Sequence, residues 1–151
     1  MINVLRPPRS VIIATVLALL GACASARPAE FLTTTTGPPR PFSPAVRVNG
    51  FIYLSGQIGT DSSGAVVPGG IQAETRQTMD NIGAVLRRTG SSFGRVVKCT
   101  VFMADMKEWD AMNVVYRTFF KDGKYPARSA LGANGLALNA RVEIECIAVV
   151  K

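Results

Sequence analysis

The sequence predicts an α+β domain in which two helices cover one face of a mixed sheet. Three observations carry that reading. An Asn49-Gly50 pair sits between short runs of β-branched and aromatic residues. Two segments place apolar residues at helical spacing. Two β-rich runs, 95–104 and 141–150, each follow a helical segment at some distance.

The elements follow in order. Asn49-Gly50 suits both positive-φ positions of a type I′ turn, so residues 46–55 read as a hairpin. The second strand leaves through Ser55-Gly56-Gln57-Ile58, where the glycine predicts a bulge or a close backbone approach. Asp61-Ser-Ser-Gly64 is a turn. Over 70–89, Ile71, Thr75, Met79, Ile82, Val85 and Leu86 form an inward stripe, with Gln72, Arg76, Gln77, Asp80 and Arg87 outside and Gly90 as the cap. Residues 95–104 form a strand. Asp105 and Glu108 then resemble a capping box, opening a helix to about residue 121 with Trp109, Met112, Val115, Tyr116, Phe119 and Phe120 inward. Asp122-Gly123 stops it, 127–131 is a short strand, and 141–150 is the last. Helices on one face leave the other sheet face rather apolar, so further copies of the chain are expected to cover it.

With 151 residues the chain has room for one domain. Arg6 and Arg9 precede an apolar run, 11–20, that is too short to span a bilayer as a stable helix. Residues 1–22 therefore read as a signal peptide, with Leu20-Gly-Ala-Cys23 resembling a lipobox and Cys23 the lipidated residue. Ala24-Ser-Ala26 offers an ordinary peptidase site instead, making the leader 1–26. Residues 23–40, rich in Thr and Pro, read as a tether, and 41–151 as the domain, exported to a bacterial envelope or periplasm. The net charge of +7 falls to +5 without Arg6 and Arg9, since no acid precedes Cys23. The cations are scattered and form no basic stripe, which argues against a nucleic-acid partner. Cys99 and Cys146 lie mid-strand in apolar runs and are expected to be free and buried. Without a CxxC or Cys/His cluster, no metal site is expected.

The chain has no histidine, which removes the usual general base and any Ser-His or Cys-His nucleophile. Chemistry would fall to carboxylates and arginines. Glu143 stands inside an apolar strand, where a carboxylate is costly unless paired or solvated from a cavity. Arg128 follows Pro126-Ala127. The plain alternative for these two residues is a structural ion pair.

Ser55-Gly56-Gln57, Arg76-Gln-Thr-Met-Asp-Asn81, Val97-Lys-Cys-Thr-Val-Phe102, Asn113-Val-Val-Tyr116, Tyr125-Pro-Ala-Arg-Ser129 and Val142-Glu-Ile-Glu145 together resemble the Rid (reactive intermediate deaminase, YjgF-type) family over about residues 40–151. The resemblance implies a chorismate-mutase-like fold, a homotrimer with clefts between subunits, and hydrolysis of 2-imino or enamine acids to 2-oxo acids and ammonia without a cofactor. It implies catalytic roles for Arg128 and Glu143. It places Arg128, Ser55, Asn113, Ala130 and Phe42 around the substrate, with Ala130 acting through its backbone carbonyl. Many deaminating members have tyrosine at the position of Phe42 and cysteine at that of Ala130. The residue types fit: a guanidinium fork holds a carboxylate in a planar pair, and a partly desolvated carboxylate activates water toward an already electrophilic imine carbon. Tyr116, at helical spacing with Phe119 and Phe120, reads as core. Two other readings stay open, a non-catalytic carboxylate-binding or protein-stabilising trimer and an amidohydrolase-like enzyme on the same fold.

Overall fold

A computed structural model describes residues 28–34 and 40–150. The expected signal peptide, Cys23 and much of the expected tether fall outside the described residues. The elements run β1 (Glu30–Phe31), β2 (Ala45–Val48), β3 (Phe51–Leu54), β4 (Gln57–Ile58), α1 (Gly70–Arg88), β5 (Val96–Met103), α2 (Trp109–Tyr116), β6 (Ala127–Gly132) and β7 (Val142–Val149). The sheet order is β1-β2-β3-β7-β5-β6, with β4 also on β7. Only β5 and β6 run parallel among these pairs, joined through α2, so the sheet is mixed as expected.

Asn49 and Gly50 adopt φ 48° and 83° at the β2–β3 turn. Beyond β3, the residues Leu54, Ser55 and Gly56 stand opposite only Glu145 and Cys146, because Tyr53 pairs with Ile147 and Gln57 with Ile144. That one extra residue is the bulge the glycine signalled. α1 ends in a Schellman motif: Gly90 has φ 74° and donates to Arg87, while Ser91 donates to Leu86 at 2.8 Å. Between sheet and helices, Ile52, Met79, Ile82, Leu86, Val101, Met103, Met112, Val142 and Ile144 are fully buried. Each such side chain contributes about 1.5–3 kcal/mol of burial.

Three expectations need correction. Cys99 and Cys146 form a disulfide rather than standing as free thiols. They are direct register partners on antiparallel β5 and β7 with Cα atoms 4.1 Å apart, a juxtaposition that depends on strand pairing and is invisible in either run alone. The second helix is shorter than 105–121, since α2 is flanked by 3-10 turns at Met106–Glu108 and Arg117–Phe119. Asp105 caps the first turn through Lys107 N–H, but Glu108 does not close the box, because its carboxylate bonds Arg141 instead. Part of the expected tether is also ordered on the sheet. Glu30 and Phe31 pair with Arg47 and Val46, Glu30 bonds Arg47 at 3.0 Å, and Leu32 packs on the core. An apolar Phe-Leu pair meeting an unpaired sheet edge outweighs the Thr/Pro composition that suggested a linker.

The face away from the helices carries Phe51 and Tyr53 of β3, Leu131 of β6 and, on β7, Glu143 and Glu145. Phe51, Tyr53 and Leu131 are each more than two-fifths exposed, so among the described residues this face has no apolar partner.

Candidate active site

Arg128 sits second in the edge strand β6, just beyond Pro126, and is the register partner of Cys99. Residues in register on neighbouring strands share a face, so Arg128 points to the helix side with buried Cys99. Trp109 and Tyr116, two turns apart on the same face of α2, meet it there. The guanidinium carbon lies 4.8 Å from the Trp109 ring centre and 4.6 Å from that of Tyr116. Such contacts hold a cation in place, at about 0.5–2 kcal/mol each, while leaving its N–H fork available.

The pocket in front of Arg128 measures about 510 Å³ and is lined by Asn113, Tyr116, Arg117, Tyr125, Pro126 and Arg128. No acid lines it. Among the described residues, the ion pairs are Arg47–Glu30, Arg141–Glu74 and Arg141–Glu108, so Arg128 has no carboxylate partner. The Tyr116 hydroxyl is buried without a hydrogen-bond partner. Burial pushes its pKa up from 10.0 to about 12, against the opposing pull of Arg128, so the phenol is neutral at physiological pH. Tyr116 is thus both core, as its spacing predicted, and a wall of this pocket.

Glu143 lies on the other face. It is opposite Phe102 of β5 and Ile58 of β4, half-buried, and takes part in no ion pair or side-chain hydrogen bond among the described residues. It is therefore solvated rather than paired. Its carboxylate occupies the space where a residue other than glycine at position 56 would carry Cβ, which would overlap Oε1 and come within 2.9 Å of Cδ. The glycine of the bulge is there to admit this side chain. Ser55 donates its hydroxyl to the Ser43 carbonyl at 2.6 Å and its backbone N–H to Pro44, which ties the bulge to the segment holding Phe42. Phe42 is about half exposed, with the Arg40 guanidinium 5.8 Å from its ring.

The sequence-predicted site residues therefore fall into two groups within one chain. Arg128, Asn113 and, two residues along the same strand, Ala130 lie on the β6–α2 side. Glu143, Ser55 and Phe42 lie around the bulge. Arg128 is two strands from Glu143 and three residues further along, which places their backbones about 14 Å apart at ordinary strand spacings. With the side chains on opposite faces, the structural ion pair is ruled out within a chain.

Sequence reasoning missed Arg117 and Tyr125 as pocket walls. It also passed over Glu74, which lies on the inward stripe of α1 three residues after Ile71 and is 5 % exposed. Glu74 Oε2 accepts the Arg141 backbone N–H at 2.7 Å, and Oε1 is 3.6 Å from Arg141 Nε. Arg141 also reaches Glu108 at 2.8 Å. This cluster ties α1 and the turn before α2 to the entry of β7, two residues before Glu143.

The model for the family described as endoribonuclease L-PSP matches residues 33–150. A relative from Mus musculus named 2-iminobutanoate/2-iminopropanoate deaminase is 46% identical over 123 residues, covering 80% of this chain and 90% of the relative. A solved structure from Yersinia pestis, described as a protein of unknown function of the conserved Rid protein family, aligns with TM-score 0.76 and 36% identity over 82% of this chain and 100% of that one. The E. coli TdcF structure with bound serine aligns with TM-score 0.73 and 29% identity, covering 81% and 99%.

Proposed function

Since the chain belongs to the endoribonuclease L-PSP family, which includes the Rid proteins, we propose that it hydrolyses 2-imino acids and their enamine tautomers to 2-oxo acids and ammonia. The observation that carries this is the free Arg128 guanidinium, held over two rings in a pocket with no acid. Such a group pairs with the carboxylate every 2-imino acid has. The deaminase name of the Mus musculus relative and the serine bound to TdcF support a small amino-acid-like ligand.

The two halves of the site meet only if Glu143 comes from a neighbouring subunit, so the active form is a homotrimer whose open sheet faces pack together at its centre and set the β6 edge of one subunit, with Arg128, beside the open face of the next. Arg128 orients the substrate carboxylate. Glu143 takes a proton from water as the oxygen adds to the imine carbon, giving a carbinolamine. The imine enters protonated on nitrogen, so the adduct is neutral. The proton held by Glu143 passes to that nitrogen, and the C–N bond breaks with its electron pair on nitrogen to release ammonia. The hydroxyl gives its proton to the Glu143 carboxylate and so to solvent, leaving the 2-oxo acid. The Cys99–Cys146 disulfide supports an oxidising compartment, in line with export and lipidation of Cys23.

The test is release of ammonia from 2-iminobutanoate generated in situ by an amino-acid oxidase. The protein should accelerate it. Arg128→Ala should lose most of the activity and Arg128→Lys recover little, since an ammonium lacks the planar fork. Glu143→Gln should bind 2-oxobutanoate without turnover. No acceleration by the wild-type protein, with 2-oxobutanoate still bound, would favour the binding-only trimer. Light scattering should give three times the monomer mass, and the N-terminal peptide should carry a diacylglyceryl-modified Cys23 that Cys23→Ser abolishes.

A further inference from the structure

Arg117 is left unexplained by a monocarboxylic substrate. It lines the same pocket as Arg128, is solvent-exposed, and has no carboxylate partner among the described residues. Its Nε donates to the Asn113 carbonyl one turn back, at 3.1 Å. That bond fixes the plane of the guanidinium and leaves the two terminal nitrogens as its free end. Two like charges facing one cavity without an acid repel each other, and a single bound anion neutralises only one. The cavity, about 510 Å³, is within the range that holds drug-sized ligands and has room beyond a four-carbon monoacid.

We propose that the Arg128 pocket is built for a dicarboxylic 2-imino acid, Arg128 taking the carboxylate next to the imine and Arg117 the distal one. This rests on the deaminase reading above and names its substrate class. Asn113, Tyr116, Tyr125 and Pro126 line the rest of the cavity and set no carboxylate against a dianion. A second planar, charge-assisted pair at a partly exposed position corresponds to about a tenfold preference for the diacid.

The experiment compares kcat/KM for 2-iminosuccinate and 2-iminoglutarate with that for 2-iminobutanoate, each made in situ from its amino acid. Wild-type protein should favour a diacid about tenfold. Arg117→Gln should collapse that ratio, chiefly through a higher KM for the diacid, and Arg117→Lys should retain part of it. A wild-type ratio of one or less, or a ratio unmoved in Arg117→Gln, overturns the proposal. Calorimetry of the 2-oxo products separates it from the activity itself. If no imine is turned over, the deaminase reading fails, yet 2-oxoglutarate binding about tenfold tighter than 2-oxobutanoate, with the margin lost in Arg117→Gln, still upholds the diacid pocket. Equal binding of the two products sinks it. Should Arg117→Gln lower thermal stability and leave both ratios unchanged, the arginine is an interface cation instead.

Discussion

Replacing both cysteines, as Cys99→Ala/Cys146→Ala, tests the least expected feature of the fold. The bond closes a segment spanning 47 positions between β5 and β7. Loop-closure entropy for that length gives about 4 kcal/mol at 25 °C, through restriction of the unfolded chain. The two cysteines are also 0% and 2% exposed, so loss of their sulfurs adds a packing cost of about 1 kcal/mol. For a domain of this size the two together correspond to a fall in Tm on the order of 15 °C. The assay is thermal and urea unfolding at one fixed protein concentration, since the Tm of the proposed trimer would depend on it. Wild-type protein fully reduced and alkylated while unfolded, then refolded, isolates the cross-link from the packing. Thiol titration of unreduced, unfolded protein gives the direct reading: neither Cys99 nor Cys146 should react. Two reactive thiols, or a double variant melting within a few degrees of wild type, would refute the reasoning.

Two further substitutions probe the supports of the site. Glu74→Ala strands the Arg141 N–H and removes a charged contact; with the Arg141 side chain half exposed, the discounted cost is about 2–3 kcal/mol by urea unfolding, and Glu74→Gln should cost about half, as its amide oxygen still accepts that N–H. An unchanged urea midpoint would mean the contact is incidental. Tyr116 has a folded pKa of about 12 against 10.0, so above pH 10 the unfolded chain releases a proton the folded one keeps, and stability should be level below pH 10 and fall between pH 10 and about 12. Tyr116→Phe should remove that part of the fall and be neutral or stabilising near pH 7, because the hydroxyl has no partner to lose. A loss above about 1 kcal/mol would show that the hydroxyl is bonded in the assembled protein.

What the sequence disclosed, and what it withheld, follow from the range of the interactions. The Asn49-Gly50 turn, the stripe of α1 and its Gly90 cap are local, set by φ preference and by the 3.6-residue period, and they were legible. The Gly56 bulge was legible for the same reason, though that the glycine makes room for Glu143 required the β4–β7 register. The disulfide needed the β5–β7 register, which no single run of residues specifies. Glu74 lies on the buried stripe at the i+3 position from Ile71 and was passed over; only the distant Arg141 explains the burial of its charge. The site residues were recognisable as a set through their motifs. Their division between two faces was not, because face and strand order are properties of the sheet as a whole.

The proposed active site takes Arg128 from one subunit and Glu143 from another, and mixing inactive variants tests that directly. Arg128→Ala and Glu143→Gln proteins, each folded and inactive alone, would be unfolded together in equal amounts and refolded. In randomly mixed trimers each cleft has even odds of an intact arginine from one subunit and even odds of an intact glutamate from the next, so about one quarter of the sites are complete. The mixture should show about one quarter of wild-type imine hydrolysis. Trimers that mix, shown by mass, and yet stay inactive would contradict it.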